Sequence, residues 1–98
     1  MLTGKQKRYL RAEAHHLKPI FQVGKGGVNE NLLKQVSEAL EARELIKISV
    51  LQNCEYDKQK VAELVQKGTG AEIVQVIGRT IILYKESKEQ KEIELPSN

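Results

Sequence analysis

The sequence predicts an α/β domain of two layers, α-β-α-β-α-β-β, built on a four-stranded mixed sheet. Three observations carry that prediction. Capping signals precede segments with a helical apolar period, short β-rich runs alternate with those segments, and a Gly-Arg pair divides the last apolar stretch in two. With 98 residues, 40% of them hydrophobic, the chain makes one domain that buries roughly 60 to 65% of its unfolded surface.

The first helix lies in "TGKQKRYLRAEAHHLKP". Thr3 and Gln6 fit a capping box, and Pro19 stops the helix near Leu17 or Lys18. At 3.6 residues per turn Leu10, Ala14 and Leu17 share one face, while Arg8, Arg11, His15 and Lys18 share the opposite one. "IFQV" then reads as a short strand that ends at glycines. Asn29 caps a second helix through about Arg43, with Val28 and Leu33 spaced as a hydrophobic staple. Leu33, Val36 and Leu40 form its core side, and Glu38, Glu41 and Glu44 fall largely away from it.

"LIKISVL", residues 45–51, alternates Ile46, Ile48 and Val50 with Lys47 and Ser49, the pattern of a half-buried strand. Asp57 caps a third helix whose buried face is Val61, Leu64 and Val65, and Gly68 is its natural stop. In "AEIVQVIGRTIILYK" Gly78 and Arg79 make a two-residue loop with glycine first, which suits a type II′ hairpin turn. Right-handed crossovers place the second and third helices on one face of the sheet, and the hairpin makes the last strand antiparallel to the third. Residues 1–85 thus form the domain. Residues 86–98, mostly charged with little to pack, are expected to fray as a flexible tail.

Charge narrows the partner. Residues 1–28 hold Lys5, Lys7, Arg8, Arg11, Lys18 and Lys25 against Glu13 alone, a net +5, whereas residues 29–98 hold ten basic against twelve acidic residues, a net −2. A field concentrated in this way suggests a polyanion, most often nucleic acid. The basic residues between Leu2 and Leu17 rule out a signal peptide there, and 18 apolar residues never run together, so the chain is expected in the cytoplasm with no membrane partner. One cysteine, Cys54, permits no internal disulfide, and two histidines with it make no zinc set. His15 and His16 sit about 100° apart on a helix and cannot serve one site. Cys54 has Glu55 beside it and no local cation to activate it. Neither catalytic residues nor a metal or cofactor is therefore expected.

The glycine-rich stretch "FQVGKGGVNENLL" carries the chemistry. A phosphate-binding P-loop would need Ser or Thr after the lysine, where this chain has Gly26, and a dinucleotide fingerprint would need Gly or Ala at Asn29. A Gly-x-x-Gly clamp fits: Gly24 and Gly27 bear no side chain to hold a phosphate away, Lys25 adds charge, and the second helix turns its positive end toward the loop. Because the basic helix leads into the strand that carries the loop, Lys5, Arg8, Arg11, Lys18, Gly24, Lys25, Gly26 and Gly27 are the expected nucleic-acid-binding residues, arranged as one phosphate track. Phe21, Tyr9, Tyr56 and Tyr84 form no cluster of rings in the sequence, which favours recognition of a structured nucleic-acid backbone over base stacking.

Taken together, "LTGKQKRYLRAEAHHLKPIFQVGKGGVNENLL", the "LIKISVL" strand and the "VIGRTIILYK" hairpin resemble a stand-alone bacterial CRM domain (chloroplast RNA splicing and ribosome maturation), also called the YhbY family. The resemblance spans about residues 1–85, and Gly24 to Gly27 match the family's Gly-x-x-Gly loop. It implies RNA binding, association with precursors of the large ribosomal subunit, and a fold similar to the C-terminal domain of translation initiation factor three; separately, the chain is expected to act as a monomer. KH domains place their equivalent loop between two helices, so KH chemistry is an analogy. Two other classes remain open at this point: an RNA binder of KH type outside ribosome assembly, and a protein-interaction module using the acidic helix faces.

Overall fold

A computed structural model describes residues 1–97, which form α1 (Gly4–Ala14), β1 (Pro19–Val23), α2 (Glu30–Arg43), β2 (Leu45–Val50), α3 (Lys58–Thr69), β3 (Glu72–Ile77) and β4 (Thr80–Tyr84). Each helix starts where its cap chemistry directs. Thr3 Oγ1 accepts from the Gln6 amide while Gln6 Oε1 accepts from the Thr3 amide, completing the capping box. Asn29 and Asp57 accept from the amides of Leu32 and Lys60.

Two helix ends fall elsewhere than the sequence suggests. The α1 helix stops at Ala14 because the Leu17 amide turns back to the Ala14 carbonyl and Lys47 Nζ takes the Leu17 carbonyl, which satisfies the freed backbone early. The α3 helix continues past Gly68 to Gly70, whose φ of 77° supplies the left-handed cap. Gly68 serves close packing instead: a β-carbon there would lie 2.6 Å from Leu33 Cδ1 on α2. Lys85 Nζ completes this end by donating to the Thr69 carbonyl at 2.7 Å.

The sheet order is β1-β2-β4-β3, with β1 parallel to β2 and β4 antiparallel to both its neighbours. The strand β3 therefore runs parallel to β2 but is separated from it by β4. Gly78, at φ 58°, opens the hairpin and Arg79 keeps negative φ, as a type II′ turn requires. The α2 and α3 helices share one face, where Val36, Leu40, Val61 and Val65 meet Val23, Ile46, Ile48, Ile81 and Leu83. Crossing the opposite face, α1 buries Leu10 and Ala14 against Leu45, Val74, Ile82 and Tyr84.

Residues 86–97 depart from the frayed tail that composition suggests. Ile93 and Leu95 pack on the α1 side of the sheet, and Gln6 Nε2 donates to the Pro96 carbonyl; Asn98 lies outside the described residues. Two acids hold the segment by its backbone. Glu44, which the helical period turns away from the core, is only 1% exposed, because its φ of 65° as the α2 cap swings the carboxylate inward. That carboxylate accepts from the amides of Ser87, Glu92 and Ile93, each at 2.8 Å. Glu41 accepts from the amides of Lys88 and Glu89 and from Ser87 Oγ.

Burial raises the Glu44 pKa, but the three amide bonds outweigh it and hold the carboxyl below the usual glutamate range. A depressed folded-state value means that the stabilisation is complete above that range and is lost as pH falls through the depressed value. The amide resonances of Ser87, Glu92 and Ile93 are accordingly expected to move together on acidification. Glu44→Gln, which keeps one acceptor oxygen but sets an NH2 donor against at least one of the three amides, should cost about 1–3 kcal/mol in urea unfolding at neutral pH. Tail resonances indifferent to both changes would show that these carboxylates do not hold the segment.

Candidate nucleic-acid interface

Strand direction gathers three loops at one end of the sheet. Val23 pairs with Val50, the Leu51 amide donates to the Val23 carbonyl at 2.9 Å, and the Val50 amide donates to the Arg79 carbonyl at 2.7 Å. Hence the Gly24–Gly27 loop after β1, residues 51–57 after β2, and the Gly78–Arg79 turn after β3 form one rim. Crevices outside the carboxyl ends of parallel strands are the usual ligand sites of open α/β sheets.

The glycine loop itself is a tight turn, closed by the Gly27 amide donating to the Gly24 carbonyl at 2.9 Å. Gly27 has φ 65°, the left-handed conformation that glycine adopts without strain. A β-carbon at Gly27 would sit 3.4 Å from Tyr56 Cε2, and one at Gly24 would sit 3.4 Å from Leu51 Cδ1, so both glycines also let the neighbouring loop approach. Lys25 and Gly26 occupy the exposed corners of the turn. Among the described residues, no protein acceptor meets the amides of Lys25 and Gly26. Two free amides beside the N-terminus of α2, with an ammonium on the same turn, make a site for a phosphate oxygen.

The other expected contacts do not continue this site as one track. Lys18 precedes β1 and Gly24 follows it, which puts ~20 Å of extended chain between them. Lys18 instead borders a separate groove with Arg43 and Lys47. Lys5, Arg8 and Arg11 belong to α1, across the sheet from α2. None of these cations, nor Lys25, forms an ion pair among the described residues. The basic third of the chain is thus divided into a cation at the glycine turn and a second group around α1 and the start of β1.

Three residues at the rim were not singled out from the sequence as site residues. Arg79 is exposed on the hairpin turn, Lys58 is half-exposed at the first position of α3, and the Tyr56 ring adjoins Gly27. Sequence distance hides them, since they are 29 to 52 positions from Gly27. The signal that finds them is topological: turns that follow parallel strands lie at the same sheet end.

On the other side, the described residues contain no group of three or more His, Cys, Asp and Glu side chains able to hold a metal ion. Cys54 is half-buried against the α2/α3 core. No described helix is long and apolar enough to cross a membrane.

Comparison with known proteins supplies the remaining finding. The CRS1/YhbY (CRM) domain family matches residues 2–85. The Bacillus subtilis protein named Probable RNA-binding protein YqeI is 73% identical over 96 residues, covering 98% of this chain and 100% of its own. A Haemophilus influenzae protein named RNA-binding protein is 39% identical over 95 residues, covering 97% and 95%. The solution structure of a hypothetical protein from Staphylococcus aureus matches with a TM-score of 0.81 and 62% identity, covering 98% of this chain and 100% of that one. These relatives are named for RNA binding and not for catalysis.

Proposed function

The chain belongs to the CRS1/YhbY (CRM) domain family, and we propose from that premise that it binds RNA through the phosphate backbone at the Gly24–Gly27 turn. The observation that carries this is the pair of free amides at Lys25 and Gly26, next to the Lys25 ammonium and the N-terminus of α2. Backbone amides cannot read bases from a phosphate, so this contact fixes position and not sequence. Lys5, Arg8, Arg11 and Lys18 make a second, longer-range contact group. A structured RNA that meets both groups must span the sheet, which favours a folded RNA over a short single strand.

The RNA is that of a large ribosomal subunit precursor, and the protein acts in assembly, in the cytoplasm and as a monomer; the family resemblance supports the assembly role, and the names of the relatives support RNA as the partner. In cell extracts the protein is expected to sediment with large-subunit precursors and to leave them as salt rises. Each neutralised phosphate contributes about 0.7 to 0.9 to the log-log slope of affinity against salt, so four to six contacts give a loss of roughly a hundredfold over a several-fold rise. Depletion should leave immature large-subunit particles. Protein found only in the free fraction at low salt, or equally on both subunits, would refute the assembly role while leaving RNA binding to be judged in vitro.

A further inference from the structure

Next to the glycine turn lies a groove of ≈ 580 Å³ bordered by Leu51, Gln52, Glu55, Tyr56, Lys58 and Arg79. Its composition differs from that of a phosphate site. Tyr56 is 41% exposed and Leu51 43% exposed, and Ile77, just before the Gly78–Arg79 turn, is 57% exposed. These are three of the five large exposed hydrophobic residues among the described ones, so apolar surface is concentrated at this rim. Asp57 is committed to capping α3, which leaves Glu55 as the free acid. A lone carboxylate repels a phosphate but accepts well from the exocyclic amine of a base.

We propose that this groove takes one unpaired nucleobase of the RNA, stacked on the Tyr56 ring, while Arg79 holds a neighbouring phosphate. The proposal rests on RNA binding at the adjacent glycine turn and names the element recognised there. Contact between Tyr56 and Gly27 fixes the spacing: a β-carbon position on Gly27 lies 3.4 Å from Tyr56 Cε2, so a nucleotide whose phosphate sits on the Lys25 and Gly26 amides has its base within reach of the ring. Gly27 and Tyr56 therefore act as one unit. Gln52 and Glu55 offer acceptors and a donor for the base edge, and every base has a face for the ring. A single ring admits a single base. The preferred target is then a duplex interrupted by one bulged nucleotide, which reconciles recognition of structured RNA with one stacking platform.

The test uses the full chain with three hairpin RNAs: one with a single bulged 2-aminopurine, the same hairpin with an abasic bulge, and the fully paired form. The wild type is expected to bind the bulged hairpin about tenfold tighter than the other two and to quench 2-aminopurine fluorescence. Tyr56→Phe should keep both the preference and the quenching, and Tyr56→Leu, which keeps an apolar contact to Gly27, should lose both. Lys25→Ala should weaken all three RNAs and leave their ratio unchanged. Equal affinity for the three RNAs, or a preference that survives Tyr56→Leu, overturns the base site. If Lys25→Ala still weakens binding in that case, the backbone reading stands and only the base site falls. Absence of salt-sensitive binding to any of the three overturns both.

Discussion

Gly27→Asp is expected to lower affinity for structured RNA by at least about tenfold, the larger of the binding effects, while Gly27→Asn lowers it far less. Both residues tolerate positive φ better than other side chains, so the cost of holding φ 65° is similar for the two, about 1 kcal/mol. Both also meet Tyr56 at ordinary van der Waals distance, 3.4 Å. They differ in charge. The aspartate sets a carboxylate beside the amides and ammonium that would receive a phosphate, and like-charge juxtaposition costs more than the ~1.4 kcal/mol that corresponds to a tenfold change. Binding measured at fixed salt, with circular dichroism to verify folding, checks the pair. Equal losses for the two variants would mean that the turn acts through shape or stability and not through an anion.

Leu10→Ala is expected to destabilise the fold by about 2–5 kcal/mol and to lower the melting temperature by roughly 4–8 °C for each kcal/mol. Leu10 is fully buried and ties α1 to Leu45, Val74, Ile82 and Tyr84. Leu17 shares its helical face in the sequence, yet α1 ends at Ala14, which leaves Leu17 half-exposed and makes Leu17→Ala the milder change. Thermal unfolding of the two variants under one condition decides the point. A Leu17→Ala loss as large as that of Leu10→Ala would argue that the helix continues to Lys18. At temperatures where Leu10→Ala stays folded, its RNA affinity should match the wild type, since Leu10 faces the core and the substitution leaves the rim and the Lys5, Arg8 and Arg11 side chains in place.

The helices were legible because their signals are local. A cap and its partner three residues on, or a staple across one turn, need no knowledge of the remainder of the chain, and Thr3, Asn29 and Asp57 all hold the amides their positions suggest. The end of α3 was misplaced because two nearby glycines offer a cap, of which Gly70 takes the left-handed turn while Gly68 packs against Leu33. The end of α1 was not legible because Lys47, 30 positions from Leu17, takes the freed carbonyl. The same holds for the tail. Glu41 and Glu44 look like solvated charges on a helical wheel, and only the left-handed φ of Glu44 shows that the two carboxylates face the backbone of residues 87–93.

The candidate site divides along the same line. "GKGG" is contiguous, so its turn and its lysine could be read directly, and the structure gives the turn its two free amides. A continuous track through Lys18 is at odds with the strand read between Lys18 and Gly24, because a strand carries its two ends to opposite rims of the sheet. Tyr56 joins the site through the parallel pairing of β1 with β2, and Arg79 only once β4 is known to lie between β2 and β3. Insertion of the hairpin strand into the sheet is a long-range pairing that no local pattern encodes.

Amide chemical-shift mapping during titration of the 15N-labelled protein with a bulged hairpin RNA tests the central claim most directly. The account predicts that the resonances of Lys25, Gly26 and Val28 move first and furthest, that those of Tyr56 and Arg79 follow, and that the far end of α3 around Lys67 and Gly70 stays still. Shifts confined to the tail and the C-terminal half of α2, with the glycine turn unperturbed at saturation, would contradict it.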